Sequence, residues 1–393
     1  MNNVFTQSVT NNDFFPRDKI INRLYRYLDD GNHMLIAAPR RVGKTSIMWY
    51  MRDNPKENYR FVYVFLEPIN SIEKYYERLI EELSKSDALS TLIKKSSKVK
   101  ELVKNTIGRI KGIELLGLAG IELSDQKPIS HQKAFEQLME KLDTDDHRIV
   151  FLLDEYPQAI ENIKSRHGVE VAKEFLQQCR AHRHSANRNV LYTYTGSIGL
   201  PAVVKGITSS NVINDIGTIE VGPLRFEEAK EMATKILSNC EVDFEPAAID
   251  NLLKGFDWLI PFHIQLAMKE MVELYEEEER RITIEDITDI NARILNFRNN
   301  RYFKQYYDRL EKAFEKSVHK AVLNLLNYIA INQPVDQAEM LNKFSRKMKN
   351  DDYDRVIESL QFDGYIVMNE NTNQFKFTSE LIRKWWVKFI VKK

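Results

Sequence analysis

Residues 33–53, HMLIAAPRRVGKTSIMWYMRD, limit the possible folds more than any other part of the chain. The apolar run 33–38 has the length of a buried strand, the residues through Gly43, Lys44 and Thr45 read as a loop, and TSIMWYMRD reads as a helix. Strand, glycine–lysine loop and helix in that order make a phosphate-binding loop. Its backbone N–H groups turn inward around an anion, Lys44 reaches the outer phosphates and the Thr45 hydroxyl ligates Mg2+. Against the pattern G-x-x-x-x-G-K-[ST], residues 38–45 depart only at Ala38, where a methyl group is tolerated if φ is not positive. The implied phosphate cradle is Pro39, Arg40, Arg41, Val42, Gly43, Lys44, Thr45 and Ser46, with two arginines inside it.

Three further apolar runs, RFVYVFLEP (60–68), HRIVFLLDEYP (147–157) and RNVLYTYTGS (188–197), alternate with helix-like segments. Continuous apolar strands between helices predict a parallel sheet covered on both faces, hence an α/β P-loop core. Asp154 ends the strand IVFLLDE, where it would hold Mg2+ through water, and Glu155 beside it would polarise an attacking water. At the end of VLYTYTGS, Ser197 is the candidate to report a γ-phosphate, with Thr195 in reserve and an ordinary strand-end turn as the competing meaning.

The expected domains are a core over 1–220 with an insertion at about 86–128, a helical lid over 221–311 and a winged helix over 312–393. The insertion combines a basic stretch, 93–111, with a segment, 112–125, that reads as a hairpin. The last part reads as three helices, two strands around NENTN (369–373) and a final helix containing Trp385 and Trp386. Its third helix carries Asp351, Asp352, Asp354 and Glu358 against Arg355, the wrong charge for a DNA groove. Lys plus Arg equals Asp plus Glu at 57 each, so any nucleic-acid contact is local. Two cysteines without close spacing, no signal-peptide pattern and no run of about 20 apolar residues lead us to expect a cytoplasmic protein without a membrane span.

The segments FFPRDKIINRL, APRRVGKTSI, FLLDEYP, TGSIGL, GPLRFEEAKEM and GFDWLIPFHIQLAMKEM occur in an order that resembles prokaryotic AAA+-like ATPases of the STAND group and their origin-recognition-type relatives. In that family the loop normally has both arginines and often lacks the first glycine. The resemblance implies that Phe15, Pro16 and Arg17 border the adenine and that Gly222, Pro223 and Leu224 begin the lid. It also implies that Pro261, with Phe262 and His263, is the proline motif that approaches the nucleotide, His263 either touching a phosphate or simply packed.

The function expected from these readings is a Mg2+-dependent ATPase that works as a molecular switch. The resemblance implies that it forms a homo-oligomer or controls a separately encoded effector, in signalling or phage defence. The alternative is a DNA-binding ATPase of the origin-recognition or transposition-loader kind. Arg40, Arg41, Arg180, Arg183 and Arg188 all stand as candidates for a finger acting on a neighbouring subunit, and Cys179, His182 and His184 lack a fourth partner for a metal.

Overall fold

The computed structural model describes residues 1–393 except 5–6, 10–12, 111–126, 143–146, 185–186, 349 and 392–393. The proposed hairpin at 112–125 therefore lies outside the described residues. By contacts the chain divides into two units, one of residues 16–37 and 44–221 and one of residues 1–15, 38–43 and 222–393.

The first unit is built on five strands: β1 (His33–Ala37), β2 (Tyr59–Phe65), β3 (Arg148–Asp154), β4 (Val190–Thr195) and β5 (Ile216–Glu220). Their order is β2-β3-β4-β1-β5 and every pairing is parallel. Strands β1, β3 and β4 are buried almost throughout, which is why they read as unbroken apolar runs. The helices of this unit are α1 (Asp18–Asp29), α2 (Lys44–Asp53), α3 (Ile72–Lys85), α4 (Asp87–Lys95), α5 (Ser97–Thr106), α6 (His131–Lys141), α7 (Tyr156–His167), α8 (Val169–Arg183) and α9 (Leu200–Lys205). α1 shows the logic that orders them. Ile21, Leu24, Tyr25 and Leu28, at helical spacing, form its buried stripe, and Tyr25 meets Tyr59 of β2 edge-on with ring centroids 5.1 Å apart.

Most of the second unit is helical: α10 (Phe226–Asn239), α11 (Pro246–Lys254), α12 (Pro261–Glu278), α13 (Ile287–Ile294) and α14 (Asn300–Ala313). It continues with α15 (Lys316–Asn332), a short β6 (Val335–Asp336), α16 (Gln337–Phe344) and α17 (Asn350–Phe362). The hairpin β7 (Ile366–Asn369) and β8 (Gln374–Phe377) follows, then α18 (Glu380–Trp386). The small sheet runs β6-β8-β7, antiparallel. Asp336 begins α16 by accepting from the N–H groups of Ala338 and Glu339. Trp385 and Trp386 are buried, and their indole N–H groups donate to Asn300 and Asn327, each at 2.8 Å. A buried bidentate pair, Arg309 with Asp363, ties α14 to the residue after α17.

Candidate functional site

In the sheet unit, the C-terminal end of β3 carries the acidic pair. Asp154 pairs in register with Phe65 of β2, is 3% exposed, and collects three donors. Thr45 Oγ1 and Tyr63 Oη both donate to its Oδ2 at 2.8 Å, and the Glu155 N–H donates to Oδ1 at 3.1 Å. Burial raises the Asp154 pKa, against the hydroxyls of Thr45 and Tyr63, which favour the ionised form. Burial and the adjoining Asp154 charge raise the Tyr63 phenol well above its usual range, so it stays a donor.

Lys44 begins α2 and is buried, Thr45 follows it half-buried, and Ser46 is buried. A hydroxyl and a carboxylate 2.8 Å apart, directly after a lysine, are hard oxygen donors of the kind Mg2+ accepts. Among the described residues no group of three or more His, Cys, Asp or Glu side chains is arranged to hold a metal. Thr45 and Asp154 thus fit an ion that takes its remaining ligands from phosphate and water.

Glu155 is half-buried and differs from its neighbour in every respect. Its backbone is left-handed, with φ 56°, an uncommon conformation for a residue with a side chain. Its Oε2 accepts two bonds from one residue, Ser197 N–H and Ser197 Oγ–H, both at 2.8 Å. The structure thus brings Ser197 to Glu155. Thr195, the reserve, is the last residue of β4, is fully buried and donates its hydroxyl to the Ile36 carbonyl at 3.1 Å, which stitches β4 to β1.

The other candidates in this unit divide clearly. Arg183 is 4% exposed and forked onto Asp215 at 2.6 and 2.9 Å, so it is a structural cation and not a finger. Arg188 is exposed and Arg180 half-buried. His182 shares a 2.7 Å hydrogen bond with Tyr76, Cys179 is buried, and His184 is 3.7 Å from Asp215. Arg17 precedes α1, half-buried, and its carbonyl accepts from Ile20 and Ile21.

In the second unit, residues 38–43 form the front of the loop. Positive φ occurs at Arg41 (65°) and Gly43 (97°) and not at Ala38, so alanine costs nothing where a glycine is usual. A methyl group on Gly43 would touch nothing within 4 Å; backbone conformation is what demands glycine there. Val42 is 1% exposed and Pro39 half-buried. The Arg41 guanidinium lies 3.5 Å from the ring centre of Phe262, the second residue of α12 after the half-buried Pro261. Burial lowers the Arg41 pKa to about 10, still charged at neutral pH. Arg40 is half-buried.

His263 is fully buried, its ring within 6.5 Å of those of Phe256, Trp258, Phe262 and Phe303. Burial, with the Arg41 charge adding to it, lowers its pKa to about 3, so it is neutral. The packed reading of His263 fits this enclosure. Beside the same loop, Gly364 has φ +74°, and a methyl group there would fall 2.9 Å from Pro39 and from Trp258.

Three contributors escaped the sequence reading as functional parts. Tyr63 and Gly364 have no spacing signal, and Phe262 stood out only as a neighbour of Pro261.

Residues 14–252 match the model of a family described as "ATPase domain predominantly from Archaea". Among solved structures, the Walker-type ATPase of Pyrococcus abyssi is 16% identical with a TM-score of 0.65, the alignment covering 98% of this chain and 99% of that one. The ORC2 protein of Aeropyrum pernix, in ADPNP–ADP complexes, is 12% identical with a TM-score of 0.59, over 99% and 97%. At these identities the likeness is one of fold. No curated protein matches the chain. Among the described residues no helix is long and apolar enough to cross a membrane.

Proposed function

The chain belongs to that ATPase family, and on that premise we propose that it is an ATP-driven molecular switch with an AAA+/STAND-like core. The proposed domains are the core over 1–220, a lid over 221–311 and a winged helix over 312–393. Residues 39–46 cradle the phosphates, Lys44 neutralises their charge, and Thr45 with Asp154 holds Mg2+, which supplies Lewis-acid stabilisation of the transferred phosphoryl group. Arg17 and Pro261 border the rest of the nucleotide.

The observation that carries the switch reading is the Glu155–Ser197 contact. One carboxylate oxygen takes both the N–H and the hydroxyl of one serine, which ties the orientation of the candidate base to the tip of β4. In this reading a change at Ser197 turns the Glu155 carboxylate, and the two states of the switch differ in this contact. A nucleotide biases such an equilibrium only through contacts that differ between the two states, and Ser197 makes one of them.

The output is assembly into a homo-oligomer or control of a separately encoded partner, in signalling or phage defence as the family resemblance implies. The two free thiols, Cys179 and Cys240, suit a reducing cytoplasm. The rival DNA-loader reading draws on exposed Lys94, Lys98, Lys100 and Lys104 of α4 and α5. Against it, Arg355 of α17 is already paired with Asp352 at 3.0 Å.

The deciding experiment measures ATP turnover and assembly state for the native protein, Lys44→Ala and Glu155→Gln, each with and without duplex DNA. Loss of turnover in both variants, with Glu155→Gln retaining ATP and accumulating a larger assembly, supports the switch. Strong stimulation by DNA favours the loader. A native protein that neither binds nor hydrolyses ATP removes the reading.

A further inference from the structure

Tyr63 lies on the edge strand β2, paired with Leu152 of β3, while Asp154 is two residues further along and paired with Phe65. Paired residues of parallel strands project to one face, so Tyr63 and Asp154 share a face and stand diagonally across the ladder. That diagonal is beyond a short hydroxyl side chain and within reach of a phenol. Tyr63 Oη closes it with a 2.8 Å bond to Asp154 Oδ2.

The ring of Tyr63 is held by α2. Trp49 meets its ring edge-on at 5.9 Å and 79°, and the Arg52 guanidinium lies 5.9 Å from the Tyr63 ring and 5.7 Å from that of Trp49. Thr45, Trp49 and Arg52 follow one another at intervals of four and three residues, so they form a single stripe of the helix that the phosphate loop feeds. The stripe delivers Thr45 to Asp154 Oδ2 directly and clamps Tyr63, which donates to the same oxygen.

Both hydroxyls hold Oδ2, and Oδ1 accepts the longer bond from its neighbour's N–H. A carboxylate gripped at one oxygen by two donors from different elements cannot rotate about its last bond without breaking one of them. Its other oxygen is then presented in one orientation. Removing a group that fixes a ligand in this way typically costs about 10- to 100-fold in metal affinity or activity.

We propose that Tyr63 is a positioning residue that acts through Asp154 and sets how much Mg2+ the protein needs to hold and hydrolyse ATP. This rests on the ATPase reading above, with Thr45 and Asp154 as the Mg2+ residues. Tyr63 has no contact with nucleotide in this scheme, so its hydroxyl matters to the metal-dependent part of binding and not to the rest.

The test is Tyr63→Phe, which keeps the ring between Trp49 and Arg52 and removes only the hydroxyl. Radiolabelled ATP binding is measured by equilibrium dialysis without metal and across a Mg2+ titration, and turnover is followed over the same titration. The expected result is on the order of 10-fold more Mg2+ for half-maximal binding and turnover, with metal-free ATP binding unchanged. The same change is then made in Asp154→Asn, where Tyr63→Phe is expected to shift nothing, because the group it acts through is already altered.

A Tyr63→Phe protein with the native Mg2+ requirement overturns the proposal. An equal shift in both backgrounds also overturns it, since that is what lost packing would give. Weakened metal-free binding assigns Tyr63 to the fold of the loop and counts against it in the same way. A native protein whose ATP binding ignores Mg2+ removes the underlying assignment of Thr45 and Asp154, an outcome visible before any variant is made.

Discussion

The two halves of the phosphate loop are held by different physics. Lys44 and Thr45 belong to the sheet unit, where Thr45 is fixed by a hydrogen bond to Asp154 on a buried strand. Residues 38–43 belong to the other unit, where Arg41 is held by the face of Phe262 and Pro39 by close approach to Gly364. A hydrogen bond between defined atoms fixes orientation. Stacking and close packing fix position and leave rotation freer. On the function proposed above, the back half sets the metal and the front half holds the anion.

The largest expected effect breaks the chemistry and leaves the loop intact. Glu155→Gln should retain ATP and lose turnover by about 100- to 10,000-fold, the range for a missing general base, as single-turnover assays would show. If turnover survives, Glu155 belongs to neither half's chemistry and another base must be sought.

Acid should come next in size. His33 is buried, and burial lowers its pKa to about 4; His263 is lowered to about 3. Both lie below the unfolded value of about 6.5, so the unfolded chain binds the extra protons. Stability should be flat above about pH 6.5 and fall as pH drops toward these values, by on the order of 3 kcal/mol for His33 alone at the bottom of its window. Urea midpoints at pH 8, 6.5 and 5 test it, and a flat profile would mean that neither ring is held neutral.

Phe262→Leu removes the π-face under Arg41 and keeps an apolar side chain, at a cost of about 2 kcal/mol for a desolvated cation–π contact. ATP binding measured without metal should weaken about 10-fold, while the Mg2+ requirement stays native. That is the mirror image of Tyr63→Phe, and the same shift in both variants would abolish the distinction between the halves.

The smallest effects distinguish two glycines. Gly43→Ala should cost about 1–2 kcal/mol from its left-handed backbone alone. Gly364→Ala should cost more, because its methyl group also meets Pro39 and Trp258. Equal urea midpoints for the two would show that the wall around Gly364 yields.

This contrast also explains what was legible in the sequence. The parallel sheet was legible from local signals, each written within one strand, loop and helix, and the roles proposed for Lys44, Thr45, Asp154 and Glu155 rest on the same signals. The C-terminal order of helices and a hairpin was readable for the same reason. Phe262 and Gly364 act on loop residues more than 200 positions away, and nothing in a single sequence records that meeting. Tyr63 was hidden differently: in a strand of aromatic and β-branched residues, a tyrosine that works looks like one that packs. The rival fingers were open because an arginine's partner is invisible until the fold supplies it, as Asp215 does for Arg183.

Of the four tryptophans, Trp49 alone belongs to the sheet unit, since Trp258, Trp385 and Trp386 all fall in the other. Its indole stands edge-on to Tyr63, one hydroxyl away from Asp154. With the other three replaced by phenylalanine, near-ultraviolet emission from this one indole becomes a built-in optical reporter of events at the acidic strand end, readable in a stopped-flow instrument without attaching a dye.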